Sequence, residues 1–291
     1  MAKIGEAIAF GAATIVNAIA IGKGSAFGIN LWTKARVELK ENSRTIKVKI
    51  LPDVGENPRL AKKVVKKVFK RFNVEGVGAR VETESNIPIA KGLKSSSVAA
   101  NAVVLATLAA LGEKLNDLEV VKLGVEAAIE SGVTITGAFD DACASYFGNV
   151  VITNNLKRKV ERFFKPEEEY EVLIYVPEIK SYTSAVNVNE LRKIAPLVNI
   201  AYDEALKGNY WRAMILNGFF YSVALGFDPG VALEALARGA VAAGLSGKGP
   251  SFVAVAPKER LKDIAKVWKK HPGRLIFSKM NREKARVVDE P

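Results

Sequence analysis

The chain has 291 residues, 49% of them hydrophobic, with a formal net charge of +12 and a pI near 9.6. That length and apolar content exclude a disordered or fibrous protein and supply enough material for two modest domains. A single cysteine, Cys143, excludes an internal disulfide and fits a reducing cytoplasm; a single histidine, His271 in the turn-like "KKHPGR", leaves little room for histidine catalysis.

From the N-terminus, "IGEAIAFGAATIVNAIAIG" reads as two short buried segments joined by a turn. It is not read as an export signal, because Glu6, Thr14 and Asn17 interrupt the apolar run and Lys3 is a thin basic region. Thr14 and Asn17, polar in apolar surroundings, are predicted to face a ligand. "ARVELKE" and "RTIKVKIL" alternate as strands do and suggest a hairpin across Asn42 and Ser43. Residues 58–72 form a predicted helix whose basic pairs read as a solvated face in preference to a nucleic-acid patch. "GARVETESNIP" is a predicted strand that runs into "KGLKSSS".

Residues 98–111 are almost all apolar helix formers, so a helix buried on most of its circumference is expected, with Ser95, Ser96 or Ser97 as N-cap and Gly112 at its end. The run is shorter than the ~20 residues of a membrane span. Asp117 is the predicted cap of a helix over 118–131, which Gly132 ends, and "SYFGNVVITN" is the next predicted strand. The charged segment "LKRKVERFFKPEEE" marks the expected boundary between domains 1–158 and 159–291. Beyond it lie strand "YEVLIYVP", helices near 188–206, 210–225 and 230–243, the turn "SGKGP", strand "SFVAVAP", a basic helix over 258–270 and strand "GRLIFSKM". Two α+β domains follow, each with an antiparallel or mixed sheet.

Chemistry concentrates at two places. A buried helix with a glycine-flanked N-terminus offers unpaired N–H groups and a partial positive charge, which favour an anion such as phosphate. One cap needs one hydroxyl, and here three serines follow Gly-Leu-Lys, with Lys91 and Lys94 adding charge. Further on, Glu130 stands at a helix C-terminus, where an acid calls for a compensating cation. Asp140 and Asp141 follow a glycine-containing loop among small residues, where turn chemistry and catalysis are equal readings. The chain has no Gly-x4-Gly-Lys-Ser/Thr, Gly-x-Gly-x-x-Gly, His-Glu-x-x-His, Cys-x-x-Cys or Gly-x-Ser-x-Gly, which argues against P-loop, dinucleotide, zinc and serine-hydrolase chemistry.

Together these motifs resemble the GHMP kinases, small-molecule kinases whose second motif is Pro-x-x-x-Gly-Leu-x-Ser-Ser-Ala. Pro88, Gly92, Leu93, Ser95 and Ser96 match it in register, and Ser97 stands for the usual Ala. The family's catalytic Asp is followed at the fourth position by Ser and at the seventh by Gly, which selects Asp141, with Ser145 and Gly148, over Asp140. Its magnesium-binding acid, eleven positions earlier, falls on Glu130. "SGKGPSFVAV" matches the third, Gly-rich motif loosely, with Lys248 and Pro250 departing from it. "AFGAATIVNAIAIGKGSAFGI" and "TGAFDDACAS" are most similar to archaeal shikimate kinases, a resemblance that covers essentially the whole chain.

The resemblance implies a two-domain α+β GHMP kinase fold: an N-terminal mixed α/β domain with a phosphate-binding helix N-terminus, and a ferredoxin-like C-terminal domain. It implies ATP and Mg²⁺ as cofactors and transfer of a phosphoryl group to the 3-hydroxyl of shikimate. The implied nucleotide contacts are Pro88, Ile89, Ala90, Lys91, Gly92, Leu93, Lys94, Ser95, Ser96 and Ser97; Ser96 and Glu130 hold the metal and Asp141 is the base. Thr14, Asn17, Gly247, Lys248 and Gly249 are expected at the alcohol. The expected partners are small molecules, with neither nucleic acid nor membrane. The alternatives are another GHMP activity, of homoserine or mevalonate type, and a non-catalytic nucleic-acid-binding protein.

Overall fold

The computed structural model describes residues 3–41, 43–53, 55–89, 91–134, 137–178 and 188–288. The N-terminal stretch is a long antiparallel hairpin of β1 (Ile4–Val16) and β2 (Lys23–Lys40). The strand seen in "ARVELKE" therefore reaches back to Lys23, and the two buried segments are β1 and the first half of β2. Next come β3 (Ile46–Leu51), α1 (Arg59–Arg71) and β4 (Gly78–Ser85). β4 inserts between β2 and β3, antiparallel to the first and parallel to the second. The expected β2–β3 hairpin thus does not form, and Asn42 lies outside the described residues. The cause is α1: its stripe of Val64, Val65, Val68 and Phe69 is buried, and a helix laid across the sheet returns the chain as a parallel neighbour.

Three helices follow: α2 (Ser95–Leu111), α3 (Asp117–Ser131) and α4 (Phe139–Phe147). α2 is buried on most sides, packed on β1, β2, α1, α3 and α4. α3 is capped by Asn116, not Asp117; the Asn116 side chain accepts the Glu119 N–H at 3.0 Å. Helix α4 runs on through Ser145, Tyr146 and Phe147, which had read as strand, until Gly148 turns the chain (φ 65°) into β5 (Val150–Asn154). β5 pairs with the first half of β2, and β6 (Lys159–Phe164) pairs with β5. The charged segment expected as the boundary therefore carries an edge strand of the first sheet.

The second sheet is built from β7 (Glu171–Pro177), β8 (Ala242–Leu245), β9 (Phe252–Ala256) and β10 (Gly273–Lys279), ordered β10-β7-β9-β8 and antiparallel throughout. Between β7 and β8 lie α5 (Val188–Arg192), α6 (Ala195–Leu206), α7 (Tyr210–Leu225) and α8 (Gly230–Ala237). α9 (Leu261–Trp268) joins β9 to β10, which completes a ferredoxin-like order. The helix expected over 230–243 stops at Ala237: Gly239 takes a positive φ of 89°, and the small residues after it form the buried β8. The last strand, β11 (Arg286–Val287), returns to pair with β1, and Asn281 donates its N–H to Gly28 at 2.9 Å. Among the described residues, no helix is long and apolar enough to cross a membrane.

α7 packs on both β8 and β1, joining the two sheets. The closeness depends on glycine: a Cβ at Gly218 would lie 2.5 Å from the Gly244 Cα. Helix propensity alone favours Ala over Gly by about 1 kcal/mol. Overpacking against backbone costs about 1–3 kcal/mol or more, so the clash wins. Gly218→Ala is expected to lower stability by roughly 1–3 kcal/mol in urea unfolding; a stabilised variant would contradict this packing.

Candidate active site

Two helix N-termini meet at one cavity of about 460 Å³ between the sheets. Each begins with a residue in the left-handed conformation: Lys94 (φ 66°) before α2 and Ala138 (φ 48°) before α4. A non-glycine residue there costs roughly 1–2 kcal/mol, so the surroundings must enforce it. The serines are consequently not the cap. They occupy the first turn of α2, whose ladder begins only with the Val98 N–H donating to the Lys94 carbonyl at 3.1 Å. The N–H groups of Ser95, Ser96 and Ser97 precede that ladder and line the cavity with their hydroxyls, a helix N-terminus suited to polyphosphate.

Across the cavity, α4 carries Asp140 and Asp141 in its first turn, where the helix dipole favours acids. Lys94 Nζ lies 3.0 Å from Asp141 Oδ1, with both side chains about nine-tenths buried. The approach satisfies ion pairing but not hydrogen-bond alignment, so that oxygen accepts no hydrogen bond. Asp141 Oδ1 is thus a buried carboxylate oxygen that meets a cation and accepts no hydrogen bond. Asp140 differs from it. It is buried, accepts the Asn155 Nδ2–H at 2.8 Å, and lies so close to Gly24 that a Cβ there would sit 2.3 Å from its Oδ2. Burial first, and the charge of Asp141 second, push its pKa up to about 7, against the opposing pull of Lys94 and Asn155.

A Gly-rich loop between β8 and β9 closes the third side. Gly247 N–H donates to Thr14 Oγ1 at 2.9 Å, Asn17 Nδ2 to the Gly247 carbonyl at 2.8 Å, and Ser246 Oγ to the Gly92 carbonyl at 2.8 Å. The polarity of Thr14 and Asn17 is thus largely spent in fastening this loop, although both line the cavity. Gly92 (φ 78°) has no alternative, since a Cβ there would meet the Ser246 carbonyl at 2.2 Å. Lys248 projects from the loop into the same cavity. Its pKa falls to about 8, chiefly through burial and then through Lys94, with Asp141 opposing.

Of the residues expected from the sequence, Ile89, Gly92, Leu93, Lys94 and the three serines line the cavity with Asp140, Asp141, Thr14, Asn17, Gly247, Lys248 and Gly249. Pro88 and Lys91 stand outside the lining, Lys91 donating instead to the Pro177 carbonyl, and Ala90 lies outside the described residues. Glu130 is not brought to the cavity either. Its half-exposed carboxylate pairs with Lys67 at 2.6 Å and Lys63 at 3.5 Å, and the Lys67 hydrogen bond holds its pKa below the usual range. The cation expected at the end of α3 is therefore supplied by the basic face of α1.

Residues not singled out from the sequence complete the cavity. Ile50, Glu56, Asn57, Leu60 and Ala61 form one end, and Asn155 orients Asp140. The consecutive Asn154 and Asn155 after an apolar strand were the available signal for the latter. Thr153 Oγ1 donates to Asn155 Oδ1 at 2.7 Å and so fixes which end of the amide faces Asp140.

A model of the GHMP kinase N-terminal domain matches residues 59–149. A shikimate kinase of Methanosarcina acetivorans is 49% identical over 97% of this chain and 95% of its own, and one of Pyrococcus abyssi is 42% identical over 91% and 95%. The chain belongs to the shikimate kinases of the GHMP superfamily. Its fold is shared with a homoserine kinase from Cytophaga hutchinsonii (TM-score 0.77, 19% identity, 98% of both chains) and with the mevalonate kinase of Methanococcus jannaschii (TM-score 0.74, 19% identity, 97% and 99%). As a GHMP kinase the chain uses ATP, and the α2 N-terminus is the feature of the cavity that suits its phosphates.

The environment of Asp140 has a pH signature. Because its folded pKa lies above the unfolded value, the folded state holds the extra proton, and stability falls as pH rises from about 4 to about 7. Asp140→Asn mimics the protonated form. Its stability relative to the parent is expected to grow across that interval by more than about 1 kcal/mol, measured by denaturant unfolding at each pH. A difference that does not vary with pH would show that Asp140 is not driven toward its protonated form.

Proposed function

We propose that the chain transfers the γ-phosphoryl group of ATP to the 3-hydroxyl of shikimate. The observation that carries the reading is the buried Asp141 carboxylate, paired with Lys94 beside the N-terminus of α2; the substrate rests on relatives named shikimate kinase at 40–49% identity. The Asp141 carboxylate takes the hydroxyl proton while the hydroxyl oxygen attacks the γ-phosphorus in line and ADP departs. Lys94 orients that carboxylate and presents its ammonium to the phosphoryl oxygens. The N–H groups at the start of α2 hold the polyphosphate, and the walls of the cavity keep water from competing as acceptor.

Magnesium fits this arrangement through few protein atoms. Among the described residues, no cluster of three His, Cys, Asp or Glu side chains could hold a metal. The hydroxyl of Ser96 would be the donor on this chain, and Mg²⁺ would supply charge neutralisation of the transferring phosphates. Glu130, engaged with two lysines on the surface, is left out.

A coupled ADP-release assay over shikimate, homoserine and mevalonate tests the substrate, with turnover expected for shikimate alone. Turnover of either other alcohol in preference would replace the reading. With the substrate in hand, Asp141→Asn is expected to lower kcat about 100-fold or more with little change in KM for ATP. Glu130→Gln is expected to leave both kcat and the magnesium titration unchanged. A magnesium requirement that rises in the Gln variant would return Glu130 to the metal site.

A further inference from the structure

The turn between β1 and β2 is held by α7, a helix from the second half of the chain. Asn217 and Tyr221 stand four positions apart on one face of α7, and both are buried. Asn217 Oδ1 accepts the Asn17 N–H at 2.9 Å. The Tyr221 hydroxyl donates to the Asn17 carbonyl at 3.2 Å and accepts the Ala20 N–H at 3.0 Å. Burial raises the pKa of that phenol, with the Ala20 N–H opposing, so the hydroxyl keeps the proton it donates. The Asn17 side chain is engaged as well: its Oδ1 accepts the Ile19 N–H at 3.0 Å and its Nδ2 donates to the Gly247 carbonyl at 2.8 Å. A hairpin turn closes on backbone hydrogen bonds of its own, and here the Gly22 N–H donates to the Ala18 carbonyl at 2.8 Å. The contacts from α7 therefore set where the turn lies, not whether it forms.

That position is a wall of the cavity. Ala18 and Ile19 line it, and a Cβ on Gly24 would lie 3.0 Å from the Ala18 Cβ and 2.3 Å from Asp140 Oδ2, so the turn stands against the start of α4. The polyphosphate is served by the first turn of α2, and in-line transfer puts the acceptor on the far side of the γ-phosphorus from ADP, with its hydroxyl at Asp141. The turn beside the two aspartates is then the wall on the acceptor's side. Resting on the shikimate reading above, we propose that Asn217 and Tyr221 are positioning residues for the acceptor alcohol, fixing from α7 the turn against which that alcohol is seated. Neither side chain lines the cavity, so both act through the backbone of residues 17–20. A misplacement of about 1 Å far from the reacting atoms can cost about 100-fold in rate, which is reason enough to hold one short turn with two buried side chains.

The test combines steady-state kinetics with amide hydrogen exchange in the parent and in Tyr221→Phe, Asn217→Leu and Ser222→Ala. The first two remove the contacts to the turn at nearly constant volume. Ser222, whose hydroxyl donates to the Gly218 carbonyl at 2.7 Å within α7, controls for a weakened helix. In Tyr221→Phe and Asn217→Leu, KM for shikimate is expected to rise about 10-fold with KM for ATP within about twofold of the parent, and exchange in a peptide spanning residues 17–22 is expected to quicken. Ser222→Ala is expected to keep the parent's KM values. Faster exchange with KM for shikimate unmoved would mean that the turn is held for stability alone, and unchanged exchange that α7 does not hold it; either overturns the proposal, as does a rise in KM for ATP of the same size or a like rise for shikimate in Ser222→Ala. Should Asn217→Leu fail to fold, Tyr221→Phe, which lacks a single oxygen, carries the comparison. Shikimate turnover by the parent with KM unmoved in the variants sinks this proposal alone; absence of turnover by the parent sinks the shikimate reading beneath it.

Discussion

The contact between Lys94 and Asp141 is the constraint on which the site depends. It joins the N-terminus of α2 to that of α4 and holds Lys94 in a backbone conformation that a lysine enters only at a cost. The same conformation denies α2 a side-chain cap, so the first-turn N–H groups face the cavity and stay available for an anion. Gly92 lets the turn approach the loop of the second sheet, and Gly24 lets Asp140 lie against β2. At each of them a single added methyl group would collide with the framework of the cavity.

The charges of the cavity are unevenly provided for, and the difference separates two adjacent acids. Asp140 has Asn155 as a donor and is enclosed, so its ionised form is penalised by burial before any other effect. Asp141 has an ammonium within reach and an oxygen without a hydrogen bond. One carboxylate is thus suited to structure and the other to proton transfer. Breaking a buried ion pair leaves an uncompensated charge, and such arrangements are retained for what they do more than for their net stability. Among the described residues five non-glycine positions take a positive φ; Lys94 and Ala138 are the two that open helices at the cavity, while Asn73, Asn149 and Arg158 lie in turns elsewhere.

Much of this was legible in the sequence, and the reasons differ from element to element. The serine turn, the apolar α2 and the spacing of Asp141, Ser145 and Gly148 are local patterns, and local patterns survive folding. The order of β2, β4 and β3 is not local; two alternating strands side by side in sequence look like a hairpin until the intervening helix is laid across the sheet. Glu130 was read correctly as an acid in need of a cation, but its partners, Lys63 and Lys67, lie 67 and 63 positions earlier on another helix. Thr14 and Asn17, expected at the alcohol, line the cavity, and their hydrogen bonds also hold the loop at Gly247. The far end of the cavity, around Ile50 and Leu60, gave no signal because apolar residues that line a cavity and those that fill a core have the same composition.

A double-mutant cycle on Lys94→Met and Asp141→Asn, read in kcat/KM with thermal unfolding as a control, tests whether the pair acts as one unit. If Lys94 works by holding and serving the Asp141 carboxylate, the double variant loses little more than the worse single variant, a coupling of about 10-fold or more. Losses that simply multiply would mean that the two side chains act independently and that their contact is not the organising feature of the site.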